Sequence, residues 1–374
     1  MSNSNSSGVK LTTTDLGKPD EVACKVVEMW TRYNDQRRLA LTTNEETRKF
    51  MFATDIDSTS ATILPHKNRT HLPKITEISD SLQGEYHTAA LGTPDFFRYL
   101  APADELDKAQ KIEKWVRQKL EDRKFRNTVG RELIADYVNF GNAFAQIEYV
   151  TDITPAGTTM YKGFEVKRIS PNDIVFNASA VSFSKAAKVF RIMMHIAEVA
   201  NLPKEFPDSG FKLDAIKEAI KYRGNAYLDD WVQVIKERGL TMDGFSSWDT
   251  YFKQDMVELL IYFGDVYNPE DGALETRRIV YVMDRAHVIR NEPNKAPVGF
   301  DSLHHARWRI RTDNLWGQGP FDNLLGMQYR IDHLDNLKAD VFDLIAHPII
   351  VIKGDEVEEP VNGFAPGAIY RVGM

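Results

Sequence analysis

Cysteine is nearly absent from this chain of 374 residues, which contains one, Cys24. A single cysteine excludes an intrachain disulfide framework and any zinc or iron–sulfur site made of several thiolates. Cys24 lies within an apolar helical pattern, which favours a small buried hydrophobe over a reactive thiol. The composition is that of a chain made and used in a reducing, cytoplasm-like compartment.

Long hydrophobic runs are absent as well. No stretch approaches the roughly 20 apolar residues that cross a bilayer, so the sequence predicts no membrane partner. The first residues, Met1 to Gly8, are rich in serine and asparagine. They lack the basic-then-apolar order of a signal peptide.

A surplus of positive charge is missing too. Lys and Arg number 47 against 54 for Asp and Glu, which gives a formal net charge of -7. Binding nucleic acid through a broad basic face requires clustered positive charge that neutralises phosphates, so this class of protein is disfavoured. A protein that lets DNA pass along an acidic, repelling surface is compatible with the same charge.

Catalytic motifs are also lacking. The sequence contains no Walker loop, no HExxH and no GxSxG, and Gly317–Pro320 (GQGP) lacks the third glycine of a dinucleotide fingerprint. His304 and His305 are adjacent, so on a strand they point to opposite faces and do not share one metal ion. Asp332 and Asp335 are three residues apart on a helical pattern, where a solvated face is favoured over a cation site. We predict no catalytic residues, no cofactor and no metal, and therefore no enzyme.

The pattern divides the chain into five segments of an α+β fold. Residues 1–20 are polar and low in complexity, which predicts a disordered arm. Helices are expected over 21–54. A mixed α+β domain is expected over 55–305. A segment with one long helix follows over 306–347, and a strand begins the last segment, 348–374.

Within the mixed domain the periodicity changes along the chain. Residues 55–102 contain several prolines and predict irregular structure with short helices, one of them around 78–86. Two amphipathic helices follow at 104–123 and 128–140, and Gly141 is suited to end the second. The period then shortens towards two, which predicts strands. These strands are expected at 143–150, 162–169, 188–197, 256–267 and 276–284.

A long amphipathic helix is predicted over 320–347, opened by Gly319-Pro320 and closed by Pro348. Its apolar residues recur at steps of three and four, which is typical of a seam that packs against another helix, in this chain or in another subunit. The seam consists of Leu324, Met327, Ile331, Leu334, Leu337, Val341 and Leu344. The candidate channel or interface charges on its other faces are Arg330, Asp332, Asp335, Lys338, Asp340 and Asp343.

Arginine and tryptophan alternate just before this helix. Arg307, Arg309 and Arg311 flank Trp308, and Trp316 follows. Such a set can stack on single-stranded nucleic acid. A strand of alternating arginine and apolar residues that ends in a turn is the favoured interpretation, with the arginines as point contacts to a partner subunit or to DNA.

Six stretches, in this order, resemble bacteriophage portal (head–tail connector) proteins, and those of short-tailed phages most of all. The resemblance covers roughly residues 25–374. The stretches are 137–144 (YVNFGNAF), 169–177 (ISPNDIVFN), 281–290 (YVMDRAHVIR), 308–328 (WRIRTDNLWGQGPFDNLLGMQ), 330–340 (RIDHLDNLKAD) and 346–348 (AHP).

The resemblance implies a ring oligomer, typically a dodecamer, at one capsid vertex. Portals nucleate shell assembly with major capsid and scaffolding proteins, dock the terminase, and later hold head–tail adaptor or tail proteins. Double-stranded DNA passes through them without sequence-specific binding. The chain would act in the virion, after assembly in the host cytoplasm. The resemblance assigns 55–305 to the wing, 306–347 to the first stem segment and 348–374 to the beginning of the clip.

A portal also has a second stem helix, a tunnel loop and further wing helices. We therefore expect that these 374 residues are part of a longer protein, or that the missing half is a separate polypeptide, with a final strand left without a partner. Two alternatives stay open. One is another virion or tail-adaptor protein that forms no ring. The other is a metal-dependent hydrolase that uses the carboxylates near 322–343.

Overall fold

The structure is a computed structural model of this chain. It describes residues 21–52, 68, 70–153, 158–206, 209–221, 256–268, 273–294, 302–353 and 365–372. The predicted arm, 1–20, lies outside these residues. Helix and sheet are mixed along the chain, in agreement with the α+β prediction. The chain forms two units, 1–45 with 82–320 and 46–81 with 321–374, which are described separately. The wing, stem and clip assignments stay predictions.

The helices before the long one are α1 (Glu21–Gln36), α2 (Arg38–Phe52), α3 (Lys74–Leu91), α4 (Leu106–Asp122), α5 (Val129–Phe140), α6 (Ile196–Glu205) and α7 (Leu213–Lys221). The helices predicted at 104–123 and 128–140 are confirmed as α4 and α5. Gly141 ends α5 with a left-handed φ of 67°. This is a conformation that glycine adopts without steric cost.

The short helix expected around 78–86 is present within α3, but the prediction is wrong in its length, since α3 is a continuous helix of 18 residues. Its inward side is mixed: Ile75 and Leu91 are buried, but Ser79 is buried as well and Gln83 donates a hydrogen bond to Asn139. A mixed inward side of this kind weakens the apolar stripe that periodicity detects.

The expectation for Cys24 is also wrong, because this residue is exposed. The buried stripe of α1 contains Ala23, Val26, Trp30 and Tyr33, at steps of three and four. Cys24 follows the first of these by one residue, about 100° around the helix, and so lies off the stripe.

The strands are β1 (Asn142–Ile153), β2 (Thr159–Ile169), β3 (Ile174–Phe176), β4 (Lys188–His195), β5 (Met256–Asn268), β6 (Ala273–Met283), β7 (His287–Pro293) and β8 (Leu303–Arg307). They form an antiparallel three-stranded sheet in the order β2-β1-β8 and an antiparallel five-stranded sheet in the order β3-β4-β5-β6-β7. All five predicted strands are present. The one predicted to reach 197 ends at His195, whose ring accepts a hydrogen bond from the Ala197 N–H and caps α6.

The five-stranded sheet is buried on both faces because successive side chains of a strand alternate between them. On β5, Leu259 and Ile261 enter one hydrophobic cluster, while Leu260 and Tyr262 enter another. The stripe of α1 covers the second cluster, where Trp30 is fully buried.

Beside Trp30 the sheet buries a network of charges. Arg191, 3% exposed, donates through Nε and Nη2 to Asp173 Oδ1 at 3.1 and 2.9 Å. Glu258, 2% exposed, accepts from Arg285 Nε and Nη2 at 2.8 and 3.1 Å. Buried charges are tolerated when they are paired in this way.

The second unit contains the long helix α8 (Leu325–Ala346), preceded by a 3-10 turn at Phe321–Asn323. The predicted start at 320 is early because this tighter turn opens the segment. β9 (Ile350–Lys353) follows and pairs in parallel with β10 (Ile369–Val372). The expectation that the final strand lacks a partner is therefore wrong.

Candidate functional site

The long helix α8 is amphipathic, but its orientation is inverted: polar residues are buried and the apolar stripe is exposed. Its buried residues are Leu325, Gln328 and Asp332, the latter two only 2% and 5% exposed. Apolar residues of the predicted seam are open to solvent instead: Leu334 is 47% and Val341 52% exposed. Met327, Ile331, Leu337, Phe342 and Ile345 are exposed as well. A helix that packs only within its own chain buries its apolar side, so this orientation needs an explanation.

An extended segment consisting of Asn68 and Thr70–Leu72, which we call the strap, lies along the polar side of α8. At one end the backbone N–H and the Nδ2 of Asn68 donate to Asp340 Oδ1 at 2.8 and 3.0 Å. The same Nδ2 donates to Asp343 Oδ2 at 2.7 Å. Hydrogen bonds to ionised acceptors are the stronger class, so this end of the strap is firmly held.

The middle and the other end of the strap are bound through its main chain. Asn336 Oδ1 accepts from the Thr70 N–H at 2.7 Å, and Asn336 Nδ2 donates to the Thr70 carbonyl at 3.1 Å. The Leu72 N–H donates to Asp332 Oδ1 at 3.1 Å, and Gln328 Nε2 donates to the Leu72 carbonyl at 2.6 Å. Side chains of the helix thus bind the main-chain N–H and carbonyl groups of the strap, as the main chain of a neighbouring strand would.

This pairing works because the spacing of the contacts along α8 matches their spacing along the strap. The helix residues in contact with the strap are mostly four apart, and the strap residues they contact are two apart. Four helical residues rise about 6 Å, and two extended residues rise about 6.6 Å. Successive contacts therefore stay in register over the length of the strap.

His71 fixes the strap from a third direction. Its Nδ1 lies 2.7 Å from Asp332 Oδ2, and its Nε2 lies 3.3 Å from the Phe50 carbonyl oxygen. The side chains of His71 and Asp332 are 9% and 7% exposed. Phe50 also packs edge-on against Tyr329, with ring centroids 4.7 Å apart. A carboxylate buried to this degree is stable because its oxygens are bound.

The predicted site residues therefore have different surroundings. In the seam, Leu324 and Leu344 are half-buried, whereas Met327, Ile331, Leu334, Leu337 and Val341 are exposed. Of the predicted charges, Arg330 and Lys338 are exposed, Asp335 is half-buried, and Asp332, Asp340 and Asp343 bind the strap. The acidic side of α8 thus holds the chain's own segment. That role, and the strap itself, were not found in the sequence.

In the first unit, a joint forms where α5 meets the turn before the long helix. The Asn142 Oδ1 accepts from the Gly317 N–H at 2.7 Å, and its Nδ2 donates to the carbonyls of Gly317 and Phe140 at 3.0 Å each. A Cβ on Gly141 would lie 2.6 Å from the carbonyl carbon of Gln318. We call residues 140–142 with 317–319 the glycine joint, because this close approach requires glycine.

Aromatic rings pack around Trp316, next to the joint. Trp316 stacks on Phe176 with ring centroids 4.4 Å apart, and His305 stacks on Phe144 at 4.3 Å. Arg37 lies 5.4 Å from the centre of the Trp316 ring. Burial lowers the pKa of His305 to about 3, with a smaller contribution from the charge of Arg307. The His305 ring is therefore neutral at physiological pH.

Three of the stretches that carry the portal resemblance meet here. The stretch 137–144 supplies Phe144 and the α5 end of the glycine joint, 169–177 supplies Phe176, and 308–328 supplies Trp316 and the turn. Residues far apart in the sequence thus form one packed group.

The arginine–tryptophan stretch is a strand for only part of its length, since β8 ends at Arg307. Trp308 packs against Tyr86 and Tyr137, with ring centroids 5.1 and 5.3 Å away. Arg309 and Arg311 are exposed. The tryptophan is therefore occupied inside the unit, and the two arginines stay candidates for point contacts.

Among the residues that the structure describes, no group of three or more His, Cys, Asp or Glu side chains is placed to hold a metal ion. Within the same residues, no helix has the length and apolar character needed to cross a bilayer. No protein-family model and no curated protein sequence matches the chain.

Proposed function

We propose that this chain is the subunit of a viral portal, a ring at one capsid vertex through which DNA is packaged and ejected. The observation that carries the proposal is the inverted orientation of α8. Exposed Leu334 and Val341 lie on a continuous apolar stripe, whereas the chain buries Asp332. Exposing such a stripe to water is unfavourable, and a neighbouring copy that covers it removes the cost.

The meeting of three resembling stretches at the glycine joint supports the same family. Fragments that resemble a family by chance have no reason to pack against one another. Here 137–144 and 308–328 interlock through hydrogen bonds and a close glycine contact.

The role that follows is structural. A seam that contacts a different surface on the next copy relates each copy to the next by the same rotation. When these rotations add up to a full turn, the copies form a closed ring. The net charge of -7 suits a wall that repels DNA phosphates, with Arg330, Asp335 and Lys338 as the remaining candidates for charges facing the channel. We propose that the ring is a dodecamer without catalytic activity, located in the virion, and that it contacts capsid and scaffolding proteins, terminase and tail adaptors.

Electron microscopy of the purified full-length protein tests the proposal, since the resemblance implies a second stem helix outside these 374 residues. Rings with a central hole are expected. In Leu334→Asp they should disappear, because a charge would be placed in the packed seam. His333→Asp is the matched control, since His333 is the exposed neighbour, off the apolar stripe, and rings should persist.

Two results would count against the proposal. Monomers of the full-length protein at every concentration would refute the ring and favour the non-ring adaptor. Equal ring formation by the Leu334 and His333 variants would refute the seam.

A further inference from the structure

We propose that three alternating arginines before the long helix form a contact site for the phosphate backbone of double-stranded DNA. We call Arg307, Arg309 and Arg311 the arginine row. Contacts to phosphates carry no sequence information, so this site holds DNA of any sequence. The inference rests on the proposed function, because it names the part of each subunit that touches the DNA in transit.

The first observation is that the row carries positive charge without a negative partner. Two of its members are exposed and Arg307 is half-buried. Among the residues that the structure describes, no carboxylate forms an ion pair with the row. The nearest carboxylate along the chain, Asp313, accepts a hydrogen bond from Thr312 Oγ1 at 3.4 Å. Arg168 of the same unit, by contrast, is paired with Asp136 at 2.6 Å. In a chain with a net charge of -7, this unpaired group is a local exception.

The second observation is that the backbone of the row is fixed. The Trp308 N–H donates to the Gly141 carbonyl at 3.0 Å, and the Gln318 N–H donates to the Arg309 carbonyl at 3.1 Å. Gly141 and Gln318 both belong to the glycine joint. The Trp308 ring packs inside the unit, and successive side chains of an extended chain alternate in direction. The arginines on either side of it are therefore directed outward, from a backbone that loses little entropy on binding.

The third observation concerns the spacing and the chemistry of the row. Alternate residues of an extended chain are about 6.6 Å apart, so the row is roughly 13 Å long. One strand of B-DNA carries about four phosphates over this length, so each guanidinium group can contact a different phosphate. The planar guanidinium binds a phosphate through two parallel N–H donors.

A protein partner fits the row less well than DNA does. Protein interfaces are centred on aromatic or apolar anchors that become buried. The aromatic residue between the arginines, Trp308, is already packed within its own unit, and Ile310 is the one apolar side chain that is exposed beside them. The row therefore offers charge with little apolar area, which suits a phosphate backbone.

Binding of the full-length protein to a short fluorescent DNA duplex, followed by anisotropy over a range of salt concentrations, tests the contact. Each phosphate contact adds about 0.9 to the slope of log affinity against log salt concentration. Replacing one arginine of the row by alanine should therefore lower this slope by about 0.9, and replacing all three should lower it by about 2.7. The reductions are larger when several copies of a ring touch one duplex.

Arg131→Ala is the matched control, since it removes the same charge from an exposed position on α5 and should leave the slope unchanged. Arg309→Lys keeps the charge and should keep the slope, which a purely structural role of the guanidinium does not predict. Equal slopes in Arg309→Ala, Arg311→Ala and the control would overturn the DNA contact. A parent that binds no duplex at low salt would overturn it as well.

Electron microscopy of the same variants separates this inference from the proposed function. If the parent forms rings and the row variants lose them while the slope is unchanged, the arginines contact a neighbouring copy. The DNA contact is then refuted and the portal proposal stands. If the parent forms no rings, the portal proposal fails, while the slopes still decide whether the row binds DNA.

Discussion

Replacing Asn142 by alanine should open the glycine joint. The side chain makes two hydrogen bonds with Gly317 and one with the Phe140 carbonyl, and its Oδ1 lies 3.1 Å from His305 Nε2. Each net hydrogen bond contributes roughly 0.5–1.5 kcal/mol, and a buried donor left without a partner adds to the loss. We therefore expect Asn142→Ala to lower the free energy of unfolding of the first unit by about 3 kcal/mol.

Denaturant unfolding followed by tryptophan fluorescence measures this change, because Trp316 stacks on Phe176 beside the joint. Asn127→Ala is the matched control: Asn127 is exposed, and its replacement should change stability by less than about 0.5 kcal/mol. Asn142→Asp should be at least as harmful as alanine, since it places a second acceptor against two carbonyls. A loss below about 1 kcal/mol in Asn142→Ala would refute the assignment of this side chain as the tie of the joint.

Two further predictions concern the same region. Gly141→Ala should lower the free energy of unfolding by about 3 kcal/mol or more, because φ is 67° and a Cβ would meet the backbone of Gly319. Gly84 has open space around it inside α3, so the control Gly84→Ala should raise the free energy of unfolding by up to about 1 kcal/mol. Equal effects of the two variants in thermal unfolding would contradict the close contact at Gly141. For His305 the native pKa lies near 3 and the ordinary value is 6.5, so the unfolded state binds the extra proton between these values. Stability should therefore fall as pH falls through this window, by up to about 1.4 kcal/mol per pH unit, and His305→Gln should remove that part of the slope.

The strands and amphipathic helices were predictable because burial there is apolar and periodic. On β5, alternate residues enter opposite clusters, and the pattern of Leu259 to Tyr262 follows from that alternation. Gly141 was likewise predictable as a helix end, because few residues other than glycine adopt its φ.

The strap was not predictable for the opposite reason. Asn68 and Thr70 are ordinary polar residues, and most of the hydrogen bonds that hold the strap use its main chain, which is the same in every sequence. The one trace is on the helix, where Asp332, Asn336 and Asp340 recur every four residues. That spacing is also typical of a solvated face, so the sequence alone did not indicate that the acidic side of α8 is covered by a segment of its own chain.

Hydrophobic patterning states which side of a helix avoids water, and it does not state which molecule covers that side. In α1 the apolar stripe and the buried stripe coincide, with Trp30 covered by its own chain. In α8 they are opposite, with Asp332 covered and Val341 exposed. The same amphipathic pattern therefore reports packing within the chain in α1 and, on our proposal, packing between copies in α8. Because breaking the hydrogen bonds of the Asp332 carboxylate is unfavourable and leaving an apolar stripe uncovered is unfavourable too, the orientation of α8, on our proposal, links its internal hydrogen bonds to a neighbouring copy.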